Sequence, residues 1–284
     1  MSKLSLWIEA ARPRTLGAGI VPVLVGTAVA ERFIAVRFGG ALLVAIALQV
    51  GVNFANDYFD GVKGVDTGER EGPRRLTASG LIAARSMRLA FVIAFSIAAL
   101  AGAALAAAVD WWLLVPGALA LAAAVFYSGG SRPYGSRGLG ELFVFVFFGL
   151  VATAGSAFVQ DEVISGLAIA AAVPAGLLAS GILMANNLRD IETDEAAGKN
   201  TLAVRVGPGR ARRIYRLTIT LSYFALPVIA ALGGGVLAWL PIFSFPAAVA
   251  ALNAVADEDP GLLAATARVH VIFGIHLAGG LWIG

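Results

Sequence analysis

An all-α, multi-pass bundle of nine transmembrane helices is the fold class the sequence predicts, and three observations predict it. Of 284 residues, 59% are apolar and 14% charged, whereas a soluble domain carries about a quarter charged residues; a soluble enzyme is excluded. The charges cluster in short stretches between apolar runs of roughly 17–25 residues, the length that crosses a bilayer as a helix. These runs lack the strict alternation of barrel strands, which leaves the helix as the spanning element.

Ahead of the first run, Leu4, Trp7, Ile8 and Ala11 recur at the spacing of a helix resting on the membrane surface. No small-residue cleavage site marks this stretch as a signal peptide. The expected spans follow at 15–33, 41–59, 87–109, 111–127, 142–159, 166–188, 214–232, 236–255 and 269–283. With the N-terminus cytoplasmic, only Arg32 and Arg37 of the 21 Lys and Arg residues fall on the far side. That positive-inside bias supports an odd number of helices and places the C-terminus outside, with the cell (plasma) membrane as the expected location.

The net charge of +3 is what Lys and Arg anchoring helix ends produce, and neither a nucleic-acid partner nor an obligatory protein partner is expected. Arg210, Arg212, Arg213 and Arg216 belong to the same inside charge. The absence of cysteine excludes disulfides, thiolate catalysis and Cys metal sites. His270 and His276 fall on different faces of the last helix and read as packing residues rather than a metal pair. Asp257, Glu258 and Asp259 read as a solvated loop before Pro260.

Outer connections are short and nearly neutral, whereas two inner ones, 60–85 and 189–213, are long and charged. The chemistry is expected there. The second span ends in Asn53, Asn56, Asp57 and Asp60, at i, i+3, i+4 and i+7 of one helical face. Four helices later, Asn187, Asp190 and Asp194 repeat the pattern at i, i+3 and i+7, on the same side of the membrane. The chain is read as one domain, 1–284, built as a parallel pseudo-repeat of four-helix units, the second starting near 111 or 142.

Carboxylates at the edge of a bilayer need partners, because a charge inside it costs up to about 2.5–3.5 kcal/mol on insertion scales. Hard cations such as Mg²⁺ take carboxylate and amide oxygens, commonly one or two carboxylates plus substrate phosphates. Two facing clusters could clamp a diphosphate through bridging metals. Lys63, Arg70, Arg74 and Arg75 after the first cluster, and Lys199 and Arg205 after the second, suit its free oxygens. The alternative is that these acids are interfacial residues paired with loop arginines; two matching clusters argue against it.

These residues resemble the intramembrane aromatic polyprenyltransferases of the UbiA type, and the resemblance covers nearly the whole chain. The family's N-D-x-x-D motif is matched by Asn56 to Asp60, and its D-x-x-x-D motif by Asp190 and Asp194. Where much of the family places a further Asp four residues on, this chain has Gly64, and its next acid is Asp66. That wider spacing resembles the branch acting on 1,4-dihydroxy-2-naphthoate. So do Ala11-Arg12-Pro13-Arg14-Thr15-Leu16, Tyr127 to Gly135, and Asn186-Asn187-Leu188-Arg189-Asp190 leading to Gly198-Lys199-Asn200-Thr201-Leu202.

The resemblance implies a UbiA-type fold with its active site on the cytoplasmic side, and transfer of a polyprenyl group from polyprenyl diphosphate to 1,4-dihydroxy-2-naphthoate in menaquinone biosynthesis. Asn56, Asp57, Asp60, Asp66, Asp190 and Asp194 would hold two Mg²⁺ ions. Asp60, Lys63, Asp190 and Lys199 are the expected catalytic residues, with Arg132 adding positive charge at the departing diphosphate. Asn53, Arg70, Arg132, Tyr127, Tyr134, Asn187 and Lys199 are the expected substrate-binding set. Phe54 and Tyr58 are further aromatic candidates, although interfacial aromatics are commonly belt residues. Arg12 and Arg14 read as orientation anchors rather than a carboxylate gate.

Three alternatives stand beside this reading. An ion-coupled transporter would place its acids near the midplane, not at one edge. A phosphatidyl-type alcohol transferase requires D-G-x-x-A-R, which fails after Asp60-Gly61. Other aromatic acceptors, 4-hydroxybenzoate or homogentisate, are opposed only by the Asp66 spacing and the flanking motifs.

Overall fold

The computed structural model describes residues 2–63, with the backbone alone at Lys63, and 75–284. Asp66, Arg70 and Arg74 lie outside the described residues, as does the side chain of Lys63. Every regular element among the described residues is helical. Helix α1 (Lys3–Ala11) is capped by Ser2, whose Oγ accepts from Ser5 N at 3.2 Å. It lies across Leu76, Ile82 and Met87 through Leu6, Trp7 and Ala10. Arg12 then adopts a left-handed conformation (φ 50°) and the chain turns through Pro13–Thr15 into α2 (Leu16–Val29).

Next come α3 (Ala35–Lys63), α4 (Ala84–Ala108), α5 (Trp111–Phe126), α6 (Gly140–Asp161) and α7 (Gly166–Arg189). Two short helices, α8 (Ile191–Ala196) and α9 (Leu202–Val206), lead to α10 (Pro208–Gly234), α11 (Val236–Ala256) and α12 (Leu262–Ile283). Several helix starts follow local chemistry. Asp110 accepts from Trp112 N, and Ser165 from Ala168 N, at the starts of α5 and α7. Thr201 caps α9, and Pro208 opens α10 with the φ its ring presets.

Seven of these helices, α3, α4, α6, α7, α10, α11 and α12, are long and apolar enough to cross a membrane. The protein is a multi-pass integral membrane protein. The expected count of nine is not reached among the described residues: the spans expected at 15–33 and 111–127 are the shorter helices α2 and α5. At 1.5 Å per residue the 14 residues of α2 rise about 21 Å, short of the roughly 30 Å hydrocarbon core. The apolar run 15–33 overstates α2 because Asp161 and Gln160 draw its end out of the helix. Asp161 accepts from Glu31 N at 2.7 Å and Arg32 N at 3.0 Å, and Gln160 Oε1 from Ile34 N at 2.7 Å.

The main core gathers Val21, Leu178, Met184, Tyr215, Ile219, Phe273 and Leu277 where α2, α7, α10, α11 and α12 meet. A second cluster of Ala55, Phe91, Phe95 and Ala124 joins α3, α4 and α5. Large apolar residues such as Leu43, Leu100, Val115, Phe224 and Phe243 are exposed, the pattern of a surface solvated by lipid. His270 is wholly buried, as expected of a packing residue, while His276 Nδ1 meets its own helix at Ile272 O, 2.8 Å away. Glu258 pairs with Arg212 at 2.6 Å.

Helix α6 departs from expectation in one respect: Phe145–Ala154 is wound as a π-helix. This widened stretch lies against α2 and α7 with almost no side chain between the backbones. A Cβ at Gly149 would stand 2.7 Å from Gly176 Cα and 2.9 Å from Ala172 O, and one at Gly26 would collide with Thr153 O. Without a hydrophobic force between helices in lipid, such close packing of small residues is what holds them together. Gly149→Leu is therefore expected to destabilise the protein by about 1–3 kcal/mol through overpacking, read as a lower midpoint of thermal unfolding in detergent. An unchanged midpoint would show that the α6–α7 seam is not close-packed.

Candidate active site

Helices α2 to α7 enclose a cavity of roughly 860 Å³. Its walls are mainly apolar, from Ala41, Val44 and Leu48 on α3 to Phe147, Leu150 and Val151 on α6 and Leu183 on α7. Its polar end gathers Asn53, Asn56 and Asp60 from α3, Asn186 and Asn187 from α7, and Arg75, Asp194 and Lys199 from the segments that follow.

The decisive contact joins the two acidic motifs. Lys199 Nζ lies 3.7 Å from Asp60 Oδ2 and 3.6 Å from Asp194 Oδ1. Asp60 also binds Arg75 Nη2 at 2.6 Å. Lys199 is placed by the local backbone, since its N–H donates to Asp194 O at 2.8 Å as the chain leaves α8. Asp60 and Asp194 are 7% and 6% exposed; each carboxylate sits in a poorly solvated place beside a cation that offsets its desolvation.

The helical stripes divide more finely than their spacing predicts. Successive residues of a helix are about 100° apart, which puts Asp57 at the flank of the stripe, well round from Asn56. Its carboxylate leaves the cavity and accepts from Leu76 N at 2.9 Å and Thr77 N at 2.8 Å, fastening the following segment to α3. Asp190, 1% exposed, falls where α7 ends, and does not line the cavity. Arg189 grips it at 2.8 and 2.9 Å, and Asn186 Nδ2 approaches at 3.4 Å.

Asn56 Oδ1 accepts from Ser128 Oγ at 2.5 Å, and Asn53 Nδ2 donates to Ala11 O at 2.8 Å and Thr15 Oγ1 at 3.0 Å, tying α3 to the turn after α1. Tyr127 and Tyr134 both line the cavity, edge to face at 5.6 Å, and Tyr134 stacks on Phe143 at 4.1 Å. Burial pushes the Tyr134 phenol above its ordinary range, so it remains a neutral hydroxyl donor at physiological pH. Arg132 is exposed and absent from the lining, and Arg205 instead holds Arg137 O at 2.9 Å. Arg12, read as an anchor, lines the cavity.

The sequence reading missed Ser128, Ser136 and Thr201 in the lining and Glu141 behind it. Glu141 carried a signal of its own, an acid at the mouth of an otherwise apolar span, and Ser128 and Thr201 stood within the motif stretches that carry the resemblance. As a metal site, the donors are hard: carboxylates of Asp60 and Asp194, and the amide oxygen of Asn56. Among the described residues no three Asp, Glu or His side chains converge to hold an ion. The arrangement fits a cation that takes one or two carboxylates and completes its shell with phosphate oxygens and water, which is the habit of Mg²⁺.

A multi-pass helical bundle with two acidic motifs bridged by a lysine, over a long apolar cavity, defines a class of intramembrane enzyme that handles a lipid with a charged head. The UbiA prenyltransferase family model matches residues 19–271, and the chain belongs to that family. It is 47% identical over 219 residues to a 1,4-dihydroxy-2-naphthoate octaprenyltransferase of Mycobacterium tuberculosis, covering 76% of this chain and 75% of that protein. It is 36% identical to the enzyme of the same name from Haemophilus influenzae, covering 99% and 97%. Among solved structures, a UbiA homologue from Aeropyrum pernix superposes with a TM-score of 0.73 at 17% identity, covering 94% of this chain and 98% of that one. A homologue from Archaeoglobus fulgidus bound to GPP and Mg²⁺ superposes with a TM-score of 0.67 at 14% identity, covering 98% and 99%.

The two aspartates of the first motif should separate in experiment. Asp57→Ala is expected to cost about 1–3 kcal/mol for each buried N–H left without an acceptor, lowering the thermal midpoint. Asp60→Ala should spare most of that stability and abolish turnover. The reverse pattern would exchange the roles of the two residues.

Proposed function

We propose that the protein transfers a polyprenyl group from polyprenyl diphosphate to 1,4-dihydroxy-2-naphthoate, releasing diphosphate and CO₂ and giving demethylmenaquinol, the two-electron-reduced form of demethylmenaquinone. The observation that carries this reading is the Lys199 bridge between Asp60 and Asp194 at the polar end of an apolar cavity. The relatives named for this acceptor fix the branch. The diphosphate sits at Lys199 and Arg75, and the tail runs between the apolar walls.

Mg²⁺, with two ions proposed for the two acidic motifs, supplies Lewis-acid neutralisation of the leaving diphosphate when bound. Asp60, Asp194 and Asn56 face the cavity and would hold it, with Asp66 proposed to join them; Asp57 and Asp190, expected in the same set, are instead engaged by Leu76, Thr77 and Arg189 away from the cavity. As the allylic C–O bond breaks, its electron pair leaves with the diphosphate, towards the fixed charges of Lys199 and Arg75. The apolar walls exclude water that would quench the allylic cation. The ring carbon bearing the carboxylate bonds to the allylic carbon. The bond to the carboxylate then breaks as CO₂, and its electron pair restores the aromatic ring, so no base is required. Tyr127, Tyr134 and Phe143 form the aromatic wall beside this point.

The matching polar ends of α3 and α7 support a parallel internal repeat. The Lys and Arg distribution supports a plasma-membrane protein with its N-terminus and active site cytoplasmic and its C-terminus outside.

Purified protein in detergent, given Mg²⁺ and a polyprenyl diphosphate, should convert 1,4-dihydroxy-2-naphthoate to prenylated product with CO₂ in equal amount. Chelation or Asp60→Ala should each stop it. Product from 4-hydroxybenzoate alone would reassign the acceptor, and near-normal turnover in Asp60→Ala would remove the metal clamp.

A further inference from the structure

Glu141 plays no part in the site described so far, yet its position is unusual. It stands in the first turn of α6, 8% exposed, within an otherwise apolar segment. Its carbonyl oxygen accepts from Ser180 Oγ at 2.9 Å and its Oε1 from Asn187 Nδ2 at 2.9 Å, so it is fastened to α7 at two points. Oε2 is buried without a hydrogen-bond partner, and no ion pair among the described residues includes this side chain. A carboxyl group here is costly. A glutamine would fill the same space without the charge.

What glutamine would not do is dictate the direction of its partner. The Glu141 oxygen facing Asn187 is an acceptor in the structure, ionised or with the carboxyl proton on Oε2, whereas a carboxamide can present either its oxygen or its NH₂. Facing Glu141, Asn187 turns its NH₂ towards the acid, which sends its carbonyl oxygen the other way. Asn187 lines the cavity and Glu141 does not, and Asn187 Oδ1 meets no donor among the described residues. The start of α6 also abuts the aromatic wall, since a Cβ at Gly140 would lie 3.6 Å from the Tyr127 ring.

We propose that Glu141 is a positioning residue that fixes the polarity of Asn187, presenting its carboxamide oxygen to the cavity as the acceptor for a ring hydroxyl of the aromatic substrate. This rests on the acceptor class proposed above. The device selects a hydroxylated ring over an ether or carbonyl of the same shape, and a hydroxyl that donates a hydrogen bond releases electron density to the ring carbon that attacks.

The test is Glu141→Gln, which keeps the shape but can donate to Asn187 Oδ1 and let the NH₂ turn to the cavity. The KM for 1,4-dihydroxy-2-naphthoate should rise roughly tenfold, the effect of one hydrogen bond, with the KM for polyprenyl diphosphate and the thermal midpoint unchanged. The preference in kcat/KM over the 1-methoxy analogue should shrink by a similar factor. The double variant Glu141→Gln with Asn187→Asp restores an acceptor oxygen at the wall and should recover both. An unchanged preference in Glu141→Gln, or equal loss for both acceptors with no recovery in the double variant, overturns the proposal. Direct binding separates this from failure of the functional reading: wild-type protein should bind 1-naphthol in preference to 1-methoxynaphthalene, followed by tryptophan fluorescence, and Glu141→Gln should not. If neither naphthoate nor hydroxybenzoate is turned over, the proposed reaction falls, and the naphthol preference still decides the role of Glu141.

Discussion

The Lys199 ammonium between Asp60 and Asp194 is the contact on which the rest of the site depends. It is where the end of α3 and the segment beyond α7 meet, and neither acid could rest there alone. A nearly buried carboxylate must be paired with a cation, or take up a proton and lose its charge. One lysine placed between two carboxylates, with Arg75 on the same oxygen of Asp60, resolves this without a large cluster of charge. It also leaves a pair of acids and a pair of cations in one small space, suited to an anionic headgroup and a hard metal together.

That polar end is usable only because the helices around it leave room beneath it. At Gly26, Gly149 and Gly176 the backbones of α2, α6 and α7 approach as closely as atoms allow, while α3, α4 and α5, joined to one another through Ala55, Phe91, Phe95 and Ala124, form the other side of the cavity. Tight contact along the α2–α6–α7 seam holds that side together, and the apolar channel runs between it and the packed α3–α5 side. The π-helical stretch of α6 belongs to both, with Gly149 at the close contact and Phe147, Phe148 and Val151 in the wall. Widened helical turns recur at functional sites because they redirect side chains without ending the helix.

The charges that do not face the cavity have structural work. Asp57 fastens the residues after the α3 loop, Asp161 gathers the freed N–H groups between α2 and α3, and Arg189 satisfies Asp190 at the end of α7. In each case a backbone or side-chain group that lipid cannot solvate finds its partner within the protein. Acidic residues in this fold therefore divide into those that close the structure and those that open onto the cavity, and adjacent members of one motif fall on opposite sides of that division.

Much of this was legible in the amino-acid sequence. Apolar runs fix helices because lipid offers no other partner for the backbone, and the i, i+3, i+7 polar stripes at the ends of α3 and α7 locate the site, since charge at those positions is too costly to be incidental. What the stripes could not decide was direction. Periodicity fixes a face to within about a third of a turn, so whether Asp57 or Asp60 met the cavity depended on Leu76 and Thr77, and the fate of Asp190 on Arg189. Likewise the length of α2 was decided by Asp161 across the bundle, and Arg132 was left at the surface while Arg75 reached Asp60. Local pattern determined the elements and the kind of chemistry; only contacts between residues far apart in the chain decided which oxygen of which acid, or of Asn187, would face the substrate.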